Sequence, residues 1–191
     1  MSTAAIEPRV KGSMLATRPL WVRFNRGEDG LRELEARLEP TLARVVRDGI
    51  DKATWYPFSW FLDLNVAIDE VFGSGDLSLV PELGRHGTET NLTTIYRVFY
   101  KVGTPRWILS RAGRLWRMHF DAGRLAVRLR TETVVDLAIV DFPTPHRAHC
   151  LSILGTIERS AELSGAEGVR AQELSCRAAG EKRCVLRVAW Q

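Results

Sequence analysis

The hydrophobic pattern of this chain changes its period once, near residue 115, and that change limits the folds it can adopt. Before it, apolar residues recur at the three- and four-residue spacing of amphipathic helices, as from Phe58 to Phe72. After it, Leu125 to Leu129 and Val134 to Val140 have the composition of β-strands. Helices followed by strands favour an antiparallel sheet with helices on one side over a doubly wound parallel sheet.

The remaining elements complete this α+β arrangement. We predict a single domain over residues 1–191, mainly helical over 1–115 and mixed over 116–191. The segment from Arg9 to Thr17 is a short strand or an ordered arm. Further helices are predicted at Gly30–Asp48 (interrupted at Pro40), Leu79–Arg85, Leu92–Val102, Pro105–Leu115 and Arg147–Leu163. Further strands are predicted at Trp116–Phe120 and in a closing hairpin, Val169–Ala178 and Arg183–Trp190.

Composition and charge narrow the class of protein. With 45% hydrophobic and 26% charged residues, the chain has the balance of a soluble globular protein with a core of its own. The net charge of +4 is small enough to be a solvated surface, and we predict no nucleic-acid partner. No run approaches the roughly 20 apolar residues that cross a bilayer, and the charged start predicts no export signal. We therefore expect a cytoplasmic protein without an integral membrane segment, whose cysteines stay reduced.

Three cysteines and a glutamate, the candidate metal ligands, fall in the last quarter of the chain: Cys150, Glu173, Cys176 and Cys184. Thiolates bind zinc strongly, and a carboxylate can supply a fourth tetrahedral ligand. Cys176 and Cys184 can meet across a turn centred near Gly180. Glu173 lies an odd number of residues from Cys176, so alternation places it on the opposite strand face unless a bulge intervenes. Spacing alone leaves open a zinc site and three buried, reduced thiols.

The segment from Glu173 to Cys184, with its glycine-containing turn and the apolar strand that follows, resembles the closing motif of 4-vinyl reductase domains. In related sensory domains of phenol-responsive transcription activators, an upstream cysteine, the glutamate and both hairpin cysteines hold a structural zinc ion. The upstream cysteine of that pattern falls on Cys150. The resemblance, which covers about residues 116–190, therefore implies a zinc site that shapes an adjoining pocket for an aromatic ligand. It brings no DNA-binding or ATPase domain with it.

The N-terminal half resembles a paralogous family from myxobacteria that has no assigned function. The resemblance rests on Lys11 and Gly12, on the Trp-Tyr-Pro of residues 55–57, and on Thr104 and Pro105 ahead of a helix. The wider superfamily resembles haem nitric-oxide-binding domains and the vesicle-tethering subunits that hold an acyl chain in a tunnel. A hydrophobic cavity between helices and sheet is the shared feature that the resemblance implies.

Aromatic residues are the candidates for the walls of such a cavity. Basic and aromatic residues interleave from Arg97 to Arg130, but Trp107, Ile108 and Leu115 are more simply the inward stripe of a helix than a nucleic-acid or membrane surface. The predicted ligand-binding residues are Trp60, Phe61, Trp107, Trp116 and Phe120.

The histidines do not favour haem. A haem iron takes an axial ligand in an apolar pocket, and none of the four histidines stands clearly in one, so we expect none to bind haem. His149 adjoins Cys150 and could replace Glu173 as a metal ligand, although a partly exposed position at the start of its helix is the simpler prediction.

No catalytic constellation is visible. The sequence has no Ser-His-Asp spacing, no glycine-rich phosphate loop and no recognisable acid–base pair of carboxylates. With the closing motif, this predicts a non-enzymatic binding or sensory module for a hydrophobic or aromatic small molecule or lipid. The resemblance also implies a homodimer, since relatives of this fold tend to dimerise. The alternative is a structural subunit with a filled core that docks to signalling or motility partners.

Overall fold

The computed structural model describes residues 7–91, 100 and 103–191. It has helices along most of its first part and a four-stranded antiparallel sheet in its second, so the predicted α+β class is confirmed. Among the helices in these residues, none combines the length and the apolar character needed to span a membrane.

The N-terminal part begins with a small two-stranded sheet and continues as a layer of helices. Strand β1 (Arg9–Lys11) pairs antiparallel with β2 (Trp55–Pro57), and Val10 also bridges to Phe120. The helix that leaves β2 buries an apolar face, as its dense apolar sequence predicts. The helices are α1 (Gly12–Leu15), α2 (Thr17–Glu35), α3 (Pro40–Asp48), α4 (Phe58–Phe72), α5 (Val80–Thr90), α6 (Pro105–Ser110) and α7 (Ala112–His119).

The C-terminal part is the larger sheet with one long helix inserted into its sequence. Strands β3 (Arg124–Leu129) and β4 (Val134–Val140) form a hairpin, and helix α8 (Arg147–Leu163) follows. Strands β5 (Arg170–Ser175) and β6 (Cys184–Ala189) close the chain. The strand order is β3-β4-β6-β5, with every neighbouring pair antiparallel, so the last strand lies between β4 and β5.

Within the described residues, the helices that pack closely on this sheet cover the face that carries its buried side chains. Helices α6 and α7 pack against β3, and α8 packs against β5 and β6. Alternation along the strands turns Leu137, Ile139 and Leu186 towards the helices, where they are buried. The opposite face carries polar and small residues and is open to solvent, which is the usual arrangement of an antiparallel sheet.

The strand predicted at Trp116–Phe120 is wrong, because these residues continue a helix. Helix α7 runs to His119, and only Phe120 is extended, in its bridge to Val10. Ala112, Trp116 and Phe120 are spaced four residues apart, which places them on one side of a helix, and a short aromatic run cannot be assigned by composition alone. The predicted boundary between residues 115 and 116 therefore passes through α7.

Other boundaries also differ. The predicted bounds of α4 and α8 are confirmed, and α5 runs to Thr90. Helix α2 begins at Thr17 and is broken at Gly27, where φ is +68°, so the predicted start at Gly30 lies just after that break and the first segment was not predicted. The helix predicted from residue 105 to 115 ends at Ser110, and a new helix begins at Ala112. The helix predicted from residue 92 to 102 lies outside the described residues, apart from Tyr100, which donates a hydrogen bond to Ser160 Oγ at 3.0 Å.

Candidate functional site

The three cysteines lie together between helix α8 and the closing hairpin. Cys150 is in the first turn of α8, Cys176 follows β5, and Cys184 begins β6. All three are free thiols and almost fully buried, and their sulfur atoms lie within 4.8 Å of one another. We call them the thiol cluster. The Sγ atoms of Cys150 and Cys176 are 3.7 Å apart, close to the about 3.8 Å edge of a tetrahedron with zinc–sulfur bonds of about 2.3 Å.

Backbone amides of the turn after β5 face the thiol cluster. The N–H of Arg177 donates to Cys184 Sγ at 3.3 Å, and the N–H of Ala178 donates to the Cys176 sulfur, which lowers the pKa of that thiol. Burial acts in the opposite direction and is the larger effect, so the pKa of Cys176 is raised overall. Burial, followed by the charges of the two neighbouring sulfurs, also raises the pKa of Cys150. Without a cation beside them, the thiols of Cys150 and Cys176 therefore stay protonated.

Glu173 reaches the side of the sheet that carries the cysteines. The pairing of β5 with β6 shifts register between Glu173 and Ser175, which is the bulge that alternation required. Glu173 Oε1 is buried without a hydrogen-bond partner among the described residues, and Oε2 is 3.4 Å from Arg147 Nε. Its charge contributes to the raised pKa of Cys176. The carboxylate is nevertheless not part of the set of ligand atoms that lie within 4.8 Å of one another.

A second buried feature surrounds His149, one residue before Cys150. Five aromatic rings enclose its imidazole with centroid distances between 4.7 and 6.2 Å. The rings also contact one another, with the shortest centroid distance, 4.5 Å, between Trp116 and Phe120. We call this group the aromatic cage; its members are Phe58 and Phe61 of α4, Trp116 of α7, and Phe120, Phe142 and His149.

The imidazole of His149 is neutral. The side chain is 1% exposed, and burial, with smaller contributions from the positive charges of His146 and Arg18, lowers its pKa to about 3. Its Nε2 atom is buried with no hydrogen-bond partner within the described part of the chain. A neutral imidazole nitrogen without a partner, in apolar surroundings, can bind a metal ion or form a hydrogen bond with a polar group of a ligand.

Arg18 occupies the layer next to the cage. Its guanidinium is fully buried and lies 4.4 Å from the ring centre of Phe61, and burial lowers its pKa to about 9. Its hydrogen-bond acceptors among residues 7–91, 100 and 103–191 are uncharged: the carbonyl of Met14 (3.1 Å), Thr17 Oγ1 (2.7 Å), Asn65 Oδ1 (3.2 Å) and Ser152 Oγ (2.5 Å). Arg18 therefore joins α1 and α2 to α4 and α8.

The structure brings three of the five predicted ligand-binding residues together. Phe61, Trp116 and Phe120 are buried members of the cage. Trp60 instead packs on Tyr56, with a centroid distance of 5.8 Å, outside the cage. The prediction that Trp107 faces inward is wrong: it is 37% exposed, with the Arg111 guanidinium 3.6 Å from its ring centre. Helix α6 ends at Ser110, so the stripe drawn through Trp107 and Leu115 does not lie on one helix.

Phe58, Phe142 and His149 were not among the predicted ligand-binding residues. The signal for His149 was present, because it precedes Ile153 and Ile157 at four-residue spacing and so shares their buried stripe on α8. Phe142 carried no such signal. It follows β4 in a loop, and the preceding residue, Asp141, has a φ of +57°, a backbone conformation that sequence periodicity does not reveal.

An antiparallel sheet covered on one face by helices, with a buried cage between the two layers, defines a class of α+β domains that enclose their site. Comparison with solved structures gives the particular fold, that of H-NOX domains. An H-NOX protein from S. oneidensis matches with a TM-score of 0.72 and 14% identity over 95% of this chain and 99% of its own. An oxygen-binding H-NOX domain related to soluble guanylate cyclases matches with a TM-score of 0.66 and 16% identity over 95% of both chains.

A third match was solved to study how porphyrin distortion modulates heme redox potential, with a TM-score of 0.67 and 15% identity over 94% of this chain and 99% of its own. At these identities the likeness establishes the fold. No protein-family model matches the sequence, and no curated protein does.

The expectation that haem would not bind is contradicted. It rested on the absence of a histidine in an apolar pocket, yet His149 is enclosed by aromatic rings, and the matching solved structures include heme proteins. The prediction that His149 is partly exposed is wrong for the same reason. In donor type and polarity the cage fits haem, since a neutral imidazole is a common axial ligand. Because the rings touch one another, any ligand must displace some of them to enter.

Proposed function

We propose that this chain is a non-enzymatic sensory module that takes a hydrophobic or aromatic small molecule into the aromatic cage. The observation that carries the proposal is His149, a neutral and unpartnered imidazole enclosed by five aromatic rings. A buried polar atom without a partner costs about 1–3 kcal/mol, and a ligand that pairs with it recovers that energy. The fold, which is also that of haem-containing sensors, supports the same reading.

Haem is one member of the ligand class. The residue that would hold it is His149, through Nε2, with the rings of the cage against the porphyrin. A bound haem would supply an iron atom that can take a diatomic gas. The contribution of the chain itself is to keep the imidazole neutral, to exclude water and to present an apolar surface.

The test is ligand retention by the purified protein. The chain is incubated with haem and, separately, with a library of aromatic compounds and fatty acids, then examined by native mass spectrometry and absorption spectroscopy. We expect one ligand per chain, lost in His149→Leu and kept in His86→Leu, a matched change at a half-buried histidine outside the cage. Retention of no compound by the wild-type chain would contradict the proposal.

One alternative has its own support. The rings of the cage are in mutual contact, which favours a structural subunit with a filled core. Under that alternative no compound is retained, and His149→Leu raises the free energy of unfolding, because it removes an unpaired buried polar atom. We further propose that the chain forms a homodimer, which sedimentation velocity of the wild-type protein will decide.

We also propose that the thiol cluster holds a soft metal ion, with zinc as the candidate. Three sulfur atoms within 4.8 Å of one another, two of them 3.7 Å apart, and the two N–H groups directed at them support this. Glu173 or a water molecule is the fourth ligand. Because Cys150 belongs to α8 and the other two to the hairpin, the metal would fix the last two strands to that helix, with no action on a ligand.

Metal removal tests the proposed zinc site. Purified protein should contain one zinc ion per chain by mass spectrometry, and a chelator should lower its melting temperature, because binding and folding are linked. Cys184→Ser should abolish binding, whereas Ala179→Ser, an exposed change in the same turn, should not. Glu173→Gln weakens binding only if the carboxylate is the fourth ligand. A wild-type chain that takes up no zinc and ignores the chelator would rule the site out.

A further inference from the structure

The outer face of the larger sheet carries a groove of about 850 Å³, on the side opposite the packed helices. We infer that this groove binds a nucleoside polyphosphate. The inference does not depend on the proposed interior ligand, although Phe142 of the aromatic cage also lies at one end of the groove.

The floor of the groove follows from strand register. Ala126 of β3 pairs with Ala138 of β4, and Ala138 pairs with Val185 of β6, so one row across three strands consists of small aliphatic side chains. All three residues line the groove. The row on one side, Arg128, Asp136 and Arg187, is long and polar. Small side chains between longer ones leave a channel with an apolar base, on which a flat ring can lie.

Two loops close one end of the groove. One runs from Asp141 to Pro143 after β4, and the other is the turn between β5 and β6. Arg177 joins them, since its Nη1 donates to the carbonyl oxygen of Phe142 at 2.7 Å. The same turn brings Lys182 and Arg183 to the groove. This end wall is therefore both held in place and positively charged.

The lining is strongly basic. Six cationic and two anionic side chains contribute to it, a net charge of +4, which equals the net charge of the whole chain. Of the two carboxylates, Asp136 is 5% exposed and already bound by Arg130 and Arg187. The cations are Arg124, Arg128, Arg130, Arg177, Lys182 and Arg183.

Most of these cations have no carboxylate partner. Within the described residues, Arg128, Lys182 and Arg183 form no ion pair, and Arg177 bonds a neutral carbonyl. Arg124 is 3.5 Å from Asp141, with both side chains more than half exposed, a contact worth little in water. The groove thus presents several cations that a ligand can engage without breaking a strong internal pair.

The chemistry of these groups selects the ligand. Guanidinium groups bind phosphate oxygens through two parallel hydrogen bonds, and several of them in one concavity match an anion with several charges. The volume is within the range of small-molecule sites. A nucleoside polyphosphate supplies both parts, with its phosphates at the basic end wall and its base on the floor of Ala126, Ala138 and Val185.

Calorimetric titration at low salt tests the inference. Adenosine triphosphate is compared with inorganic triphosphate, with anionic phospholipid vesicles and with a single-stranded oligonucleotide. We expect one nucleotide per chain, bound more tightly than triphosphate because the base adds contact with the floor. Arg128→Glu with Lys182→Glu should weaken nucleotide binding by about tenfold or more.

The matched control is Arg37→Glu with Arg44→Glu, the same change in net charge at exposed positions away from the groove. It should alter nucleotide affinity by less than about twofold. All four residues changed are exposed, so melting curves should show both double variants folded. Absence of nucleotide binding, an equal loss in the two variants, or binding of vesicles or oligonucleotide alone would each overturn the inference.

Discussion

Asp136 holds two arginines of the outer sheet face through one carboxylate. Arg187 and Arg130 approach it to 2.7 and 2.6 Å, and the hydrogen bond from Arg187, followed by that from Arg130, lowers the pKa of the carboxyl group. Its stabilising effect is therefore present above the unfolded-state pKa of about 3.9 and is lost as the pH falls through the lower folded-state value.

We expect Asp136→Asn to reduce the free energy of unfolding by about 1–2 kcal/mol at neutral pH. This value is at the low end of the range for hydrogen bonds to charged groups, because the side chains of both arginines are about one-third exposed to solvent. The difference from wild type should shrink below about pH 4. Urea unfolding across this range measures it, with Asp48→Asn, at the exposed end of α3, as the control. A difference that does not change with pH would show that the carboxylate charge plays no part.

At the level of single residues, the sequence predicts chemical types better than surroundings. The approach of Cys176 to Cys184 follows from a hairpin turn at Gly180, which the structure contains with a φ of +88°, whereas only the family resemblance predicted that Cys150 joins them. The approach of Glu173 to the cysteines depends on a one-residue bulge in β5. Simple alternation of side chains along a strand would place Glu173 on the opposite face. Whether the cysteines bind metal stays a prediction.

Two glycines set the distance between helices α5 and α8. A Cβ atom added at Gly84 would overlap the carbonyl oxygen of Ser152, and one added at Gly155 would overlap that of Pro81. The backbones of the two helices are therefore in direct contact, as at close helix crossings between small residues.

We predict that Gly84→Ala and Gly155→Ala each destabilise the protein by about 1–3 kcal/mol or more, because the helices must separate to admit the methyl group. Thermal unfolding measures the effect. Gly180→Ala is the comparison: its φ is positive but no atom lies within 4 Å of an added Cβ, so it should cost only the backbone strain of about 1–2 kcal/mol. No loss of stability in either helix variant would show that the helices are free to slide.

Long elements with a regular apolar repeat were predictable, whereas short elements and the first segment of α2 were not. Helices α4 and α8 repeat their apolar spacing over many residues, so their ends could be placed. Helix α7 is eight residues long and contains Trp116, Met118 and His119, a composition that also suits a strand. Helix α7 packs against β3, and such a tertiary contact cannot be read from the local sequence pattern.

Across the whole molecule, one buried cluster of apolar residues extends from Val10 to Val188 and includes residues of both the helical part and the sheet. The prediction of one domain over residues 1–191 therefore has a direct test. We expect far-ultraviolet circular dichroism and tryptophan fluorescence to report the same urea midpoint, because Trp21 and Trp116 are buried in that cluster. Two separated midpoints would mean that the helical part and the sheet unfold independently.

The contact of α5 with α8 through Gly84 and Gly155 also restricts how the interior can open. Because close-packed backbones resist sliding, we expect these two helices to move together and to carry His149 and Cys150 with them. The remaining walls of the cage belong to α4, to α7 with Phe120 directly after it, and to the loop at Phe142. A molecule entering the cage must therefore displace those walls against a fixed imidazole, and the displacement is carried outward by α4 and α7.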